Sequence, residues 1–362
     1  MTSFPEFGDS TTATKVGNAF SKQIKGKNGM NNFTNLPPPS YPVPSDSIDF
    51  YNAVLLVGVS PNSLGEHIAL AISSHSPSLL ILASRTASKI NEVISSIHSI
   101  TPSCPIKSLT LDLSSQSSIR TAAKEINTLT SKLDIIINNA ALNVPDYETT
   151  KEGIEMHFGT NHIGLFLLTN LILPSVLAAS SSSIPGSMRI VNLTSAGHRL
   201  SPIRFSDYNL KKIVAELPEE ERPPSGLPKA LMDAEVPYSP FVAYGQSKTG
   251  NILFSVSLTE ALRERGVRSF SVHPGCESSF PRYSGEVGLT ESAIWTGLAR
   301  NLDEQGQALI KATGKVWKTG DQGAATAMVA AFDPKLNGMY CHERGRKREL
   351  TMNTRCTRRI PC

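Results

Sequence analysis

The chain has 362 residues, 40% of them hydrophobic, which is enough to bury one large core or two ordinary ones, and its net charge is +4. Its five cysteines form no Cys-x-x-Cys pair and no His-rich spacing, which excludes a disulfide framework, predicts no metal site and fits a reducing compartment. Residues 342–362 hold seven lysines or arginines against two glutamates, so this end carries +5 and the rest −1. Such a segment attracts polyanions, but a solvated, disordered tail is the simpler interpretation, and we expect no nucleic-acid partner.

Residues 1–50 are predicted to form an extension with two parts. Thr11–Lys27 has the spacing of a short amphipathic helix. Gly29–Asp49 is polar and proline-rich, which predicts a disordered linker. Met1–Ser10 has neither an apolar core nor the cleavage pattern of a signal peptide, so we expect a cytoplasmic protein.

From Ala53 onward, short β-branched-rich runs alternate with helical stretches, the pattern of a doubly wound parallel sheet. The predicted strands are Ala53–Val57, Leu79–Ala83, Ile106–Leu111, Leu133–Ile137, Met188–Leu193, Val267–Val272 and an edge strand at Gly338–Tyr340. The predicted helices are Glu66–Ser74, Ala87–Ile100, Gln116–Leu129, Gly153–Ala179, Phe241–Arg265 and Asp321–Phe332. We therefore predict one Rossmann-like α/β domain over residues 51–341, of about seven strands with helices on both faces, followed by a basic tail over 342–362.

The most apolar stretch is Ile163–Ala179. It is 17 residues long and is interrupted by Asn170 and Pro174, whereas a membrane span needs about 20 apolar residues. We expect a helix buried against the sheet and no membrane span.

The first strand runs into a loop, residues 58–65, that begins and ends with glycine and leads into a helix. A strand, a glycine loop and a helix N-terminus form an anion site, because unpaired backbone N–H groups point at the ligand. The usual dinucleotide loop has three glycines, and here a serine takes the middle place. The residues predicted to hold a pyrophosphate are Gly58, Ser60, Ser63, Leu64 and Gly65.

The second strand ends at Arg85. Binders of NAD carry an acidic residue at this corner for the ribose hydroxyls. An arginine suits a 2′-phosphate instead, through charge-assisted hydrogen bonds, so the sequence favours NADP(H) over NAD(H). An ordinary surface arginine is the alternative.

Tyr244 and Lys248 are four residues apart in a helical stretch, so they lie on one helix face. A cation one turn away favours the phenolate, which predicts a lowered pKa for Tyr244 and a use as general acid/base. An isolated match of this kind is more often a solvated helix face.

Further motifs occur in order along the chain, most of them at the ends of predicted strands and two of them in predicted helices. They are Asp112-Leu113, Asn138-Asn139-Ala140-Ala141, Asn161-His162-Ile163-Gly164, Asn192-Leu193-Thr194-Ser195, the segment from Tyr244 to Lys248, and His273-Pro274-Gly275. With these motifs the chain resembles the short-chain dehydrogenase/reductase family over about residues 53–340, nearest to its retinol-dehydrogenase-like and fungal members. Residues 28–52 look inserted relative to that family.

The resemblance implies a role for each matching residue. Tyr244 would be the catalytic acid/base, and Lys248 would lower its pKa and hold the nicotinamide ribose. Ser195 would orient the substrate carbonyl, and Asn161 would hold a water in a proton relay. The implied cofactor contacts, besides the glycine loop and Arg85, are Asp112, Leu113, Asn139, Ala140, Tyr244, Lys248, Pro274, Gly275 and Ser279.

The predicted function is therefore reduction of a carbonyl, or oxidation of the matching alcohol, in a lipophilic small molecule with NADP(H). Phe241-Val242 and Phe280–Tyr283 are expected to line the mouth of the site, beside a long acidic insertion between Ser195 and Tyr244. Retinoid, steroid and fungal-metabolite substrates all stay open, and a homodimer through the two long helices is expected. The alternative is a catalytically weak NADP(H)-binding or regulatory protein, which the altered glycine loop favours.

Overall fold

The computed structural model describes residues 2–8, 10–25, 52–181, 183–275, 291–294, 304, 308, 314–336 and 339–341. Its strands are β1 Ala53–Val57, β2 Leu79–Ser84, β3 Ile106–Thr110, β4 Ile135–Asn138, β5 Met188–Leu193, β6 Val267–Val272, β7 Glu291–Ile294, β8 Gly314–Lys318 and β9 Met339–Cys341. Seven of them form one sheet in the order β3-β2-β1-β4-β5-β6-β9, with every neighbouring pair parallel. β7 and β8 form a separate parallel pair.

The helices cover both faces of this sheet. They are α1 Ala13–Ala19, α2 Ser21–Ile24, α3 Leu64–Ser73, α4 Ala87–Ile100, α5 Gln116–Leu129, α6 Met156–Phe158, α7 Gly164–Ser180, α8 Pro240–Leu262 and α9 Gly320–Phe332. A π-helical turn, Gly159–Ile163, joins α6 to α7. Short 3-10 helices lie at Ala196–Leu200, Val214–Glu216, Glu219–Glu221 and Arg263–Arg265.

The strand sequences are apolar throughout because the sheet is buried on both sides. In β1, Val54 and Leu56 face a core formed with α1, α3, α4 and α9. Leu55 and Val57 face the opposite core, formed with α5, α7 and α8. The predicted doubly wound Rossmann-like fold is confirmed, and the predicted bounds of β1, β5 and β6 agree with the structure.

The N-terminal helix is part of this core. It was expected over Thr11–Lys27; α1 and α2 end at Ile24, and Val16, Phe20 and Ile24 are buried against α3 and α9. The predicted boundary at residue 51 assigned α1 and α2 to an extension, whereas both helices pack into the core of the domain. The proline-rich segment 26–51 and the basic tail 342–362 lie outside the described residues.

The described residues on either side of segment 26–51 are in contact. The side-chain amide of Asn52 donates to the backbone carbonyls of Gln23 and Ile24, with 3.4 Å to the latter. β1 therefore starts where α2 stops.

The helical run Met156–Ser180 is, by length and composition, apolar enough to cross a membrane. The predicted helix Gly153–Ala179 covers most of this run, but only its most apolar part, the 17 residues Ile163–Ala179, was weighed as a membrane span. Leu168, Ile172 and Val176 of α7 are fully buried in the core beside α5. Since a core helix passes the same length and composition test, the burial of α7 explains its apolarity.

Candidate active site

The carboxyl ends of parallel strands meet at one edge of the sheet, and most of the predicted site residues follow these ends. The order of the sheet reverses between β1 and β4, which is the position where open α/β sheets bind ligands. The residues at this edge are Gly58 after β1, Arg85 after β2, Asp112 after β3, Asn139 and Ala140 after β4, Ser195 after β5, and Pro274 and Gly275 after β6. Ser279 lies outside the described residues.

The two glycines of the loop are required by close backbone packing. Gly58 has φ +96, and a Cβ there would collide with the backbone of Ala140. A Cβ at Gly65 would collide with the carbonyl oxygen of Gly58. The loop after β1, the start of α3 and the loop after β4 are therefore packed backbone to backbone.

Ser63 explains why the middle glycine is missing. It is the N-cap of α3, and its Oγ accepts from the Glu66 N–H at 3.3 Å and donates to the Ser60 carbonyl at 2.6 Å. Its φ of −101 is open to any residue, so glycine is not needed there. Leu64 then starts α3.

The other predicted cofactor residues differ in what their side chains do. Asn139 donates its side-chain amide to the Gly58 carbonyl, so it fastens the glycine loop to β4. Asp112 Oδ1 accepts from the N–H and the hydroxyl of Ser114 at 3.0 and 2.6 Å. Leu113 is buried beneath α7, and Arg85 is exposed to solvent.

Ser195, Tyr244 and Lys248 come together as predicted. Pro240 occupies the first turn of α8 after the N-cap Ser239, and the helix then places Tyr244 and Lys248 one turn apart. The Ser195 side chain is hydrogen-bonded to the Tyr244 phenol. The Lys248 ammonium donates to the Leu193 carbonyl at 3.1 Å and lies 5.4 Å from the centroid of the Tyr244 ring.

The electrostatics of this group correct one expectation. Burial raises the pKa of the Tyr244 phenol to about 12, and the hydrogen bond with Ser195 only partly opposes it. Burial also lowers the pKa of the Lys248 amine to about 7. The prediction that Lys248 lowers the pKa of Tyr244 is therefore wrong for this structure, because desolvation penalises both charges.

Asn161 lies in the π-helical turn between α6 and α7, and π-helical turns are frequent at functional sites. It is fully buried. Its Oδ1 accepts from the Leu142 N–H at 2.8 Å, while its Nδ2 donates to the Leu142 carbonyl at 3.0 Å and to Ser247 Oγ at 3.2 Å. The side chain anchors the loop after β4 to α8, and the implied water relay stays a prediction.

Several residues that support the site were not predicted. Thr194 Oγ1 donates to the Lys248 carbonyl at 2.9 Å and Asn251 Nδ2 to the Leu193 carbonyl at 3.2 Å, so α8 is fastened to the end of β5. A Cβ at Gly197 would lie 3.1 Å from Cδ1 and Cε1 of Tyr244, so the phenol ring packs on this glycine. The position of Gly197, two residues after Ser195, was the available signal.

One of the side chains expected at the mouth of the site is buried instead, while Phe241 beside it is partly exposed. Val242 is buried in a small cluster with Leu210 and Ala243 and is not at the mouth. Phe280–Tyr283 lie outside the described residues. In the part of the chain that the structure describes, no group of three or more His, Cys, Asp or Glu side chains could hold a metal ion.

Residues 52–214 match the family model described as short chain dehydrogenase. The chain is 31% identical over 270 residues to the oxidoreductase fscI of Fusarium equiseti, covering 74% of this chain and 94% of that protein. It is 32% identical to the short-chain dehydrogenase TIC 32 B of Brassica napus, covering 81% and 80%. Retinol dehydrogenase 11 of Mus musculus is 35% identical over 56% of this chain and 55% of its own length.

Solved structures share the fold at lower identity. The NADP complex of RhlG from Pseudomonas aeruginosa has a TM-score of 0.54 at 18% identity, over 82% of this chain and 96% of that one. The NADPH-bound carbonyl reductase from chicken fatty liver has a TM-score of 0.52 at 17% identity, over 82% and 98%. At these identities the likeness supports the architecture alone.

Proposed function

The chain belongs to the short-chain dehydrogenase/reductase family, and from this membership we propose that it is an NADP(H)-dependent oxidoreductase. It would reduce a carbonyl group of a lipophilic small molecule, or oxidise the matching alcohol. The observation that carries the proposal is the meeting of three side chains: Ser195 Oγ and the Tyr244 ring both border Gly197, and the Lys248 amine lies 5.4 Å from the same ring. Two hydroxyl donors and an amine at the ligand-binding edge of a parallel sheet suit proton transfer to a developing alkoxide.

The residues at this edge fit a phosphorylated dinucleotide. The glycine loop and the N-terminus of α3 would hold the pyrophosphate. Arg85, exposed after β2, would pair with a 2′-phosphate, and Asp112 would contact the adenine. Bound NADPH would supply the hydride, and the protein's own side chains would bind the substrate, orient it and transfer the proton.

In the reductive direction, Ser195 would donate a hydrogen bond to the carbonyl oxygen while Tyr244 gives it the phenolic proton. With a pKa raised to about 12, the Tyr244 phenol is protonated throughout the neutral range, which is the state that reduction needs. Burial lowers the pKa of the Lys248 amine to about 7, so this amine would be largely protonated only below neutrality.

A lipophilic substrate is supported by the rings beside the insertion. Tyr147 and Tyr238 form an edge-to-face pair with 5.2 Å between centroids, and the Tyr238 hydroxyl donates to the Asp146 carbonyl at 3.2 Å. This pair joins the loop after β4 to the residues just before α8. Aromatic surfaces of this kind favour apolar ligands.

A second candidate is a weakly catalytic NADP(H)-binding or regulatory protein. The high pKa of the Tyr244 phenol favours it, because a weaker acid transfers its proton more slowly. The glycine loop no longer favours it, since Ser63 replaces the missing glycine as a helix cap.

The finer features of the protein are proposed as well. We place it in the cytoplasm, in keeping with Cys104, a free buried thiol in the described part of the chain. We also propose a homodimer through α7 and α8, on which Phe166 is 44% and Leu253 38% exposed.

The test is NADPH oxidation with a panel of aromatic and aliphatic ketones, together with NADPH binding measured by fluorescence. Tyr244→Phe removes the proton donor, so turnover should fall by about 10²–10⁴-fold while NADPH affinity stays the same. Tyr208→Phe is the matched control, because this tyrosine is 47% exposed on the insertion and lies outside the Ser195 group. Turnover by Tyr244→Phe equal to that of the wild type would refute the assignment, whereas NADPH binding without any turnover would favour the second candidate.

A further inference from the structure

A buried acid and imidazole lie beside Tyr244 and have no part in the proton transfer just described. Glu155 and His157 are both fully buried, with 2.8 Å between Glu155 Oε1 and His157 Nδ1. The rings of His157 and Tyr244 meet edge to face, with 6.3 Å between centroids and 85° between planes. An imidazole held this closely against the proposed acid/base can influence where the phenol points.

The hydrogen bonds of His157 hold its ring from both ends. The Val144 N–H donates to His157 Nε2 at 3.1 Å, and Asn143 Oδ1 lies 3.1 Å from the same nitrogen. At the other end of the ring, Nδ1 donates to the Glu155 carboxylate at 2.8 Å. The imidazole is therefore fixed between the loop after β4 and the start of α6.

Glu155 is held from the outside by the insertion that precedes α8. The side chain of Asn209 accepts from the Glu155 N–H at 2.8 Å and donates to the Gly153 carbonyl at 3.0 Å. The next residue, Leu210, is buried with φ +52, a conformation that is unfavourable for a side chain of its size. The surrounding contacts thus hold Asn209 in place despite a local conformational cost.

Helix capping alone does not explain this arrangement. The Glu155 carboxylate accepts from the His157 and Phe158 N–H groups at 3.0 and 2.8 Å, which accounts for an acid at the start of α6. It does not account for a fully buried imidazole, with its two polar nitrogens, against Tyr244. An apolar side chain could fill that space without needing partners.

We propose that His157, oriented by Glu155 and the Val144 N–H, is a positioning residue that fixes the ring of Tyr244. The ring also packs on Gly197 and is hydrogen-bonded to Ser195, with the Lys248 amine on a neighbouring side. His157 supplies the contact from α6, and through Val144 it ties the ring to the loop after β4. The role rests on the proposed reductase function, in which the phenol must meet the substrate oxygen.

The first test compares His157→Leu with His157→Gln in ketone reduction. Leucine keeps the bulk but cannot bond Val144 or Glu155, so kcat should fall by about 10–100-fold at unchanged NADPH affinity, as a displacement of about 1 Å would cause. A glutamine can accept from the Val144 N–H with its oxygen and donate to Glu155 with its NH₂, so it should restore most of kcat. A glutamine variant as impaired as the leucine variant would overturn the proposal.

The second test observes Tyr244 directly and needs no substrate. In protein labelled with ¹³Cζ-tyrosine, the Tyr244 resonance is assigned by its loss in Tyr244→Phe. It should shift and titrate differently in His157→Leu, and return toward the wild type in His157→Gln. An unmoved resonance in His157→Leu refutes the positioning role even where turnover is lost.

If His157→Leu does not fold, Asn209→Ala is the second variant. It removes the hydrogen bond between the Glu155 N–H and the side chain of Asn209 on the insertion. It should move the Tyr244 resonance in the same direction by a smaller amount, and no movement would contradict the proposal. A wild-type protein that turns over no ketone refutes the reductase function, while the tyrosine resonances still decide the positioning role.

Discussion

Arg85 is the side chain on which the proposed preference for NADP(H) depends. Arg85→Asp would remove the cation proposed to bind the 2′-phosphate and put in its place a carboxylate that accepts hydrogen bonds from ribose hydroxyls. The ratio of NADPH to NADH affinity should therefore fall by about 10-fold or more. Fluorescence titration with both cofactors measures the ratio. Arg120→Asp, on α5, makes the same charge change on another helix, and a ratio unchanged in Arg85→Asp would remove this residue from the site.

Asp134 makes the stability of the protein depend on pH. Its buried carboxylate accepts from the Ala53 N–H at 2.7 Å, and burial raises its pKa to about 6. Because this pKa is above the unfolded value of about 4, the stabilising contribution of the neutral acid is complete below about pH 4 and is lost as pH rises through 6. Asp134→Asn keeps an acceptor for Ala53 without titrating, so its stability relative to the wild type should rise by about 3 kcal/mol from pH 4 to neutrality.

Urea unfolding of both proteins across this pH range measures the difference. Asp233→Asn is the control, because the hydrogen bond from Lys229 lowers the pKa of Asp233 and no such rise is expected. A difference that is constant with pH would show that folding does not raise the pKa of Asp134.

Single residues also show what the sequence could predict of the site. The spacing of Tyr244 and Lys248, and their order with Ser195, were sufficient to predict the group, because a helix turn and a strand end are local features. The contacts of Asn161 and His157 were not predictable, since each joins elements that are distant in sequence. The raised pKa of Tyr244 was also missed, because burial is a property of the assembled fold.

At the scale of elements, the short apolar runs were sufficient to predict the parallel strands, because strands buried on both faces are continuously apolar. The burial of α1 and α2 was not predicted. A short amphipathic helix before a proline-rich segment has the same pattern whether it packs on the core or stays outside. Its partners on α3 and α9 become apparent only once the sheet is assembled.

Deleting segment 26–51 should therefore have little effect, whereas deleting residues 2–25 should not be tolerated. A short glycine–serine linker can join residue 25 to Asn52, since Asn52 already bonds Gln23 and Ile24. Loss of α1 and α2 would expose the pockets of Val16, Phe20 and Ile24, at about 1.5–3 kcal/mol for each side chain. Thermal unfolding of both variants tests this, and a large fall in Tm for the first deletion would contradict it.

At the scale of the whole molecule, the proposed homodimer depends on the exposed apolar side chains of the two long helices. Phe166 contacts Phe254 with 5.0 Å between ring centroids, and Leu253 is exposed on α8. Phe166→Glu with Leu253→Glu should convert the dimer to a monomer in sedimentation velocity, because buried unpaired charges are costly at an interface. Phe205→Glu is the control, since this side chain is 72% exposed on the insertion, and a wild-type protein that sediments as a monomer would contradict the proposal.

The meeting of Asn52 with Ile24 has a practical consequence. Because residues 24 and 52 are in contact, a folded domain can be inserted between them at little cost in stability. The entropy lost on closing a loop grows only with the logarithm of its length. A fluorescent protein or a sensor module inserted between residue 25 and Asn52 would lie away from the sheet edge that carries Tyr244. Such a chimera would report on folding in living cells while keeping its chemistry intact.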